Sequence, residues 1–202
     1  MPKKVDHAAR RLEIAEALWR LTRSDGWEAI SLRKVAAEAG VSMGMVQHYF
    51  KTTDEMLRFA LEVMSEDVRA RIRRRIAALP EPHTPRLLVH TVLTEMIPHP
   101  ARRRAEMDGA AVFIRRFLLA PASAAALAPG GVELNNGLVD QIRASRATRA
   151  TATDSTAERD AAGLLALLDG LIFAIVTGQQ TSETALAILE TQLDYVFGTD
   201  QE

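Results

Sequence analysis

The chain has no cysteine among its 202 residues. That excludes disulfides, thiolate nucleophiles and every zinc site built on cysteine, and it fits a protein of the reducing cytosol. It also lacks an apolar run long enough to cross a bilayer. The most hydrophobic stretch, Leu164 to Val176, is interrupted by Asp169 and falls short of the ~20 residues a spanning helix needs. Nothing at the start resembles a secretory leader, because Met1-Pro2-Lys3-Lys4 leads into charged residues rather than an apolar core. The expectation is a soluble, cytoplasmic protein with no membrane partner. Catalytic equipment is missing as well. Ser123, Ser145 and Ser155 stand in no nucleophile-elbow context, and no glycine-rich phosphate loop follows a strand. His83, His90 and His99 with Glu95 lack the i, i+4 spacing of a helical metal site. No enzyme activity, metal or other cofactor is therefore expected.

A strong charge of one sign is also lacking, since the net charge is −1. Its distribution says more. Residues 1–52 hold nine Lys/Arg against six Asp/Glu, a net of +3, and the remainder holds sixteen against twenty, a net of −4. A basic N-terminal quarter on an acidic body suits a nucleic-acid reader joined to a C-terminal domain of different purpose. The hydrophobic fraction of 48% excludes a disordered chain.

Strand signals are almost absent and there is no repeat or coiled-coil heptad, whereas helical periodicity runs throughout. A first helix is predicted over about 6–24, with Leu12, Ile14, Ala15, Leu18, Trp19 and Leu21 on its apolar side and Asp25-Gly26 ending it. Ser31 caps a short helix in which Leu32, Val35, Ala36 and Ala39 recur at helical spacing, and Gly40 closes it. Ser42 caps the next, from Met43 to Tyr49. Thr53 is read as the cap of a long helix reaching about residue 78, with Asp54 and Glu55 in its first turn. Further helices are predicted near 86–97, 101–119, 133–147, 157–178 and 182–197, with Pro98, Pro100 and Pro129-Gly130-Gly131 as breakers. The fold expected is all-α, with about nine helices. An N-terminal three-helix domain of residues 1–52 precedes a helical-bundle domain of residues 53–202.

Two short helices joined by Ala39-Gly40-Val41-Ser42 form a helix-turn-helix pattern. The first helix braces the second, whose outer face can enter the major groove of DNA. Val41, Val46 and Phe50 are expected to face inward, and Met43, Gly44, Gln47, His48 and Tyr49 outward.

The stretch Ile30-Ser31-Leu32-Arg33-Lys34-Val35-Ala36-Ala37-Glu38-Ala39-Gly40-Val41-Ser42, then Val46-Gln47-His48-Tyr49-Phe50 and Asp54-Glu55-Met56-Leu57, closely resembles the DNA-binding domain of the TetR family of repressors over about residues 8–60. Leu165 to Ile172, which includes Leu168-Asp169-Gly170-Leu171, and the final Ala185 to Phe197 helix resemble the dimerising end of the branch that includes choline-responsive regulators. The resemblance implies a homodimer on a double-stranded operator with two half-sites, released by a small-molecule effector. Position by position, Arg33 matches a residue that reaches a base edge, and Ser42, Met43, Gly44, Met45, Gln47, His48 and Tyr49 occupy recognition-helix positions. In two places the sequence departs from the family pattern. Gln47-His48-Tyr49 replaces the common aromatic-then-His arrangement, and Thr53 replaces the usual lysine, leaving Thr53 or Lys51 for that phosphate contact.

For the C-terminal domain, Met96, Met107, Phe113, Arg116, Phe117 and Phe173 are candidates to line a ligand pocket, with core packing as the alternative. Leu164, Leu168, Leu171, Ile172 and Ile175, with Leu186, Leu189 and Leu193, are candidates for the dimer interface, since they exceed what one helix face needs. Gly163, Ala166 and Gly170 would let helices approach closely. The basic run Arg69 to Arg75 is read as a solvated helix end. Two alternatives to a ligand-responsive repressor remain open: an activator or orphan regulator without an effector, and a helical enzyme or adaptor that retains a helix-turn-helix.

Overall fold

A computed structural model of the chain describes residues 7–26, 30–98, 121–147 and 156–198. All regular structure among them is helical, in eight elements. These are α1 (His7–Asp25), α2 (Leu32–Glu38), α3 (Met43–Tyr49), α4 (Thr53–Ala77), α5 (Pro85–Met96), α6 (Pro121–Ala147), α7 (Ala157–Val176) and α8 (Ser182–Phe197). The helix expected at 101–119 lies outside the described residues. None of the described helices is long and apolar enough to cross a membrane.

The chain divides into two compact units within α4, between Asp67 and Val68. In the first, α1 packs on α2 and α2 on α3. Their shared core is Ile14, Ala17, Leu18, Val35, Val46 and Phe50, completed by Met56, Leu57, Ala60 and Leu61 from the start of α4. Gly26 ends α1 with φ +77, a left-handed conformation that glycine adopts without a Cβ penalty. Leu12, expected on the apolar side of α1, is instead 41% exposed, because Ile14, Ala15, Ala17, Leu18 and Leu21 already fill the inward arc.

In the second unit α5 packs on α6 and α8, and α7 on α6 and α8. Val89, Leu93, Leu138, Ile142, Leu164, Leu168, Leu189 and Leu193 make its core. Pro129-Gly130-Gly131 does not break the chain as expected: α6 runs straight through it. A helical proline costs ~3 kcal/mol and each glycine ~1. Burial of Leu138, Val139 and Ile142 from the same helix contributes ~1.5–3 kcal/mol apiece, enough to override those local preferences. A Cβ at Gly130 would lie 3.2 Å from the tip of the flexible Arg69 side chain.

Charged groups tie this unit together. Glu95, 8% exposed, accepts from Arg71 Nε at 3.2 Å and lies 3.6 Å from Arg75 Nε, so part of the basic run of α4 neutralises a buried carboxylate. Arg86 reaches Glu190 at 3.0 Å and Asp194 at 2.5 Å, and His90 Nε2 lies 2.5 Å from Glu190. Burial works to lower the Arg86 pKa, but the carboxylates of Asp194 and Glu190 outweigh it and raise it. No cluster of three or more His, Asp or Glu among the described residues could hold a metal ion.

Candidate nucleic-acid interface

The α2–turn–α3 unit is held by three local devices. Ser31 caps α2, its hydroxyl accepting from the Lys34 N–H at 3.3 Å. Gly40 then takes φ +67, the Gly40 N–H donates to Ala37 O at 3.2 Å, and the Val41 N–H donates to Ala36 O at 3.0 Å. This paired arrangement satisfies the last carbonyls of α2 while reversing the chain. Ser42 caps α3, accepting from the Met45 N–H at 3.2 Å. The short α3 is therefore anchored at its start by a cap and along its inner side by Val46, which is fully buried.

With Val46 inward, Met43, Gly44, Met45, Gln47 and His48 are exposed. Tyr49, expected outward, is half-buried. Arg33 projects from α2 with no carboxylate partner among the described residues. Its neighbours are committed: Lys34 pairs with Asp25 at 3.3 Å and Arg20 with Glu38 at 2.7 Å. Arg33 is thus a cation left available on the same small unit as the exposed face of α3.

At the α3–α4 junction the cap is Thr52, not Thr53. The Thr52 hydroxyl accepts from the Glu55 N–H at 3.1 Å, and the Glu55 carboxylate accepts from the Lys51 N–H at 2.7 Å. This reciprocal pairing satisfies two backbone donors together and makes Thr53 the first helical residue. The Lys51 ammonium donates to Gln47 O at 3.0 Å, the C-terminal end of α3, where a cation is favoured.

Two features of this unit escaped the sequence. The His7 ring lies 5.6 Å from that of Tyr49 and 6.1 Å from that of His48, and His48 meets Tyr49 edge-on at 5.1 Å. One turn further along α1, the Arg11 guanidinium lies 5.0 Å from the Phe50 ring centre and 4.1 Å from that of Phe59. Arg10, by contrast, pairs with Glu13 at 2.5 Å. The i, i+4 spacing of His7 and Arg11 indicates a shared face of α1, but nothing in sequence says that this face meets the end of α3.

The residues proposed for the C-terminal domain fare differently. Met107, Phe113, Arg116 and Phe117 lie outside the described residues. Met96 is half-buried in the last turn of α5, and Phe173 is 42% exposed on α7 rather than enclosed in a core. Of the interface candidates, Leu164, Leu168, Leu171, Ile175, Leu189 and Leu193 are at most 5% exposed within the single chain. Within the single chain they pack inside their own unit and keep little free surface. Only Ile172 and Leu186 keep part of their surface. The outer face of α7 carries Ala162, Gly163, Ala166, Asp169, Gly170 and Phe173 instead, and that of α8 carries Ala187, Thr191 and the 81%-exposed Tyr195. Desolvation raises the Asp169 carboxyl above its ordinary value.

Residues 14–59 match the model for bacterial regulatory proteins of the tetR family, and residues 85–198 match that for the C-terminal domain of BetI-type transcriptional repressors. The chain is 43% identical over 108 residues to the HTH-type transcriptional regulator PksA of Bacillus subtilis; that match spans 54% of this chain and 51% of PksA. It is 27% identical over 213 aligned positions to the HTH-type transcriptional regulator BetI of Burkholderia cenocepacia, covering 99% of this chain and all of BetI. Among solved structures, a transcriptional regulator from Rhodococcus sp. Rha1 superposes with a TM-score of 0.76 at 28% identity, covering 92% of this chain and 95% of that one.

Proposed function

The chain belongs to the tetR family of bacterial regulatory proteins, and from that premise we propose that it represses transcription as a cytoplasmic homodimer whose two α3 helices occupy the half-sites of one operator. In this reading residues 1–52 bind DNA and residues 53–202 dimerise and sense a small molecule. The observation that carries it is the capped, internally braced α3 with its exposed outer face, beside an Arg33 that has no carboxylate partner among the described residues.

Arg33 has the planar donor fork that pairs with guanine O6 and N7 together. Ser42, Met43, Gly44, Met45, Gln47 and His48 face the groove, and Tyr49, Lys51 and Thr53 meet the phosphate backbone. Half-sites lie about one DNA turn apart, ~34–36 Å, matching the spacing of the paired helices in the dimer. The dimer forms through the outer faces of α7 and α8, where Gly163 and Gly170 leave open space beside the helix. An effector bound in the C-terminal domain shifts the population toward a dimer with a different helix spacing, by no more than its differential affinity for the two states. α4 is the continuous element between the two functions. The protein acts by binding and not by catalysis.

Selection of bound sites from random duplex DNA tests this directly. Enrichment of a motif with two related half-sites is expected. Recovery of no enriched sequence, with only weak binding that vanishes at physiological salt, would show that the chain does not recognise an operator.

A further inference from the structure

From Met43 to Tyr49, α3 contains no Arg, Lys, Asp or Glu. Its most exposed large apolar groups are two methionines, Met43 at 43% and Met45 at 40%. Between them stands Gly44, and a Cβ built there would meet only the Ser42 hydroxyl, at 4.0 Å. The fold therefore makes no demand for glycine at this position, and glycine inside a helix is less stable than alanine by ~1 kcal/mol. Ser42 is already committed to the cap of α3 through the Met45 N–H.

We propose that Met43 and Met45 are specificity residues that select thymine in each half-site by apolar contact with its C5 methyl group. The inference rests on α3 being the DNA-reading helix and adds which base it prefers. At ~100° per residue, Gly44 and His48 point furthest from the buried Val46, and Met43 and Met45 flank Gly44 on either side. The missing side chain lets the helix backbone sit close to the base edges and brings both thioether arms within reach of them. Thymine is the base whose major-groove edge carries a methyl group. Methionine suits such contact, because its unbranched, polarizable side chain adapts to an irregular apolar surface. Two solvent-exposed methionines on a reading helix are thus accounted for by what they cover in the complex, and α3 itself carries no Arg or Lys fork for guanine.

Deoxyuridine differs from thymidine only in lacking that methyl, so it isolates the contact. Duplexes recovered by selection from random DNA would be remade with single thymidine-to-deoxyuridine replacements through each half-site and titrated with the full chain. At one or two positions affinity should fall about fourfold, the factor for removing one methyl group from a buried contact. In Met43→Ala or Met45→Ala protein the same replacement should change affinity by less than twofold, because the partner of the methyl is already gone. Both variants alter exposed positions of a capped helix, and unchanged thermal melting would establish that they fold. Deoxyuridine tolerated everywhere, or penalised equally in parent and variants, would overturn the assignment. Failure to recover any enriched duplex would instead overturn the DNA-reading function of α3, and this inference with it.

Discussion

Replacing Gly163 and Gly170 by alanine distinguishes a solvent-facing helix from an interface, because the two situations give opposite signs. Both glycines lie inside α7, neither has a positive φ, and neither has an atom within 4 Å of a built Cβ. In an isolated chain each substitution should stabilise the helix by ~1 kcal/mol, or about 2 kcal/mol together. Across a two-fold interface every added methyl appears twice. Overpacking one close-packed site costs ~1–3 kcal/mol, so the double variant should weaken the dimer by several kcal/mol. Sedimentation equilibrium gives the association constant, and melting at two protein concentrations separates folding from assembly. Gly137 supplies a control in the same unit, since it lies within α6 with nothing inside 4 Å. Gly137→Ala should gain ~1 kcal/mol without touching association. A double variant at Gly163 and Gly170 that melts higher and dimerises as tightly as its parent would refute the placement of the interface.

Two further perturbations follow from the ionisable groups. Asp169 has its carboxyl raised by desolvation, so the folded chain holds that proton more tightly than the unfolded one, and ionisation opposes folding. Asp169→Asn should therefore raise stability at pH 7, with the gain disappearing as the pH falls through the folded value to about 4; an equal gain at both pH values in urea unfolding would contradict the cause. Glu95→Ala should lower stability by about 2–3 kcal/mol, less than the ~3–5 of a fully buried pair because Arg71 still reaches solvent. A change below ~0.5 kcal/mol, the scale of an ordinary surface substitution, would show that Arg71 and Arg75 gain nothing from Glu95.

What could be read from the sequence was local. Ser31, Gly40 and Ser42 act through hydrogen bonds to residues three or fewer positions away, so the caps and the turn of the DNA-binding unit were legible from spacing alone. The shift of the α4 cap from Thr53 to Thr52 is a one-residue matter decided by the reply of Glu55 to the Lys51 N–H. Where tertiary packing competes with local preference, the reading failed. Pro129-Gly130-Gly131 is a strong local breaker, yet α6 continues because its later turns are buried between neighbouring helices. Leu164, Leu168, Leu171 and their counterparts on α8 show the opposite difficulty. Periodicity identified them as apolar, but it could not tell a side chain that fills its own unit from one that meets a partner. The exposed face proved to be the row of small residues beside them. The contact of His7 with Tyr49 and the seat of Arg11 on Phe50 and Phe59 join residues about 40 or more positions apart, and no periodic pattern records that.

In the proposed function the α2–turn–α3 surface binds the operator, with Arg33 reading a base and Lys51 touching backbone. The most direct measurement is the affinity of parent, Arg33→Ala and Lys51→Ala proteins for a selected duplex and its single-base variants over a range of salt concentrations. Arg33→Ala should cost ~1–3 kcal/mol on the best site and relax the preference at one base pair. Lys51→Ala should weaken all sequences about equally and flatten the salt slope by ~1. If both variants bind every duplex as the parent does across that range, the DNA-reading surface lies elsewhere on the chain.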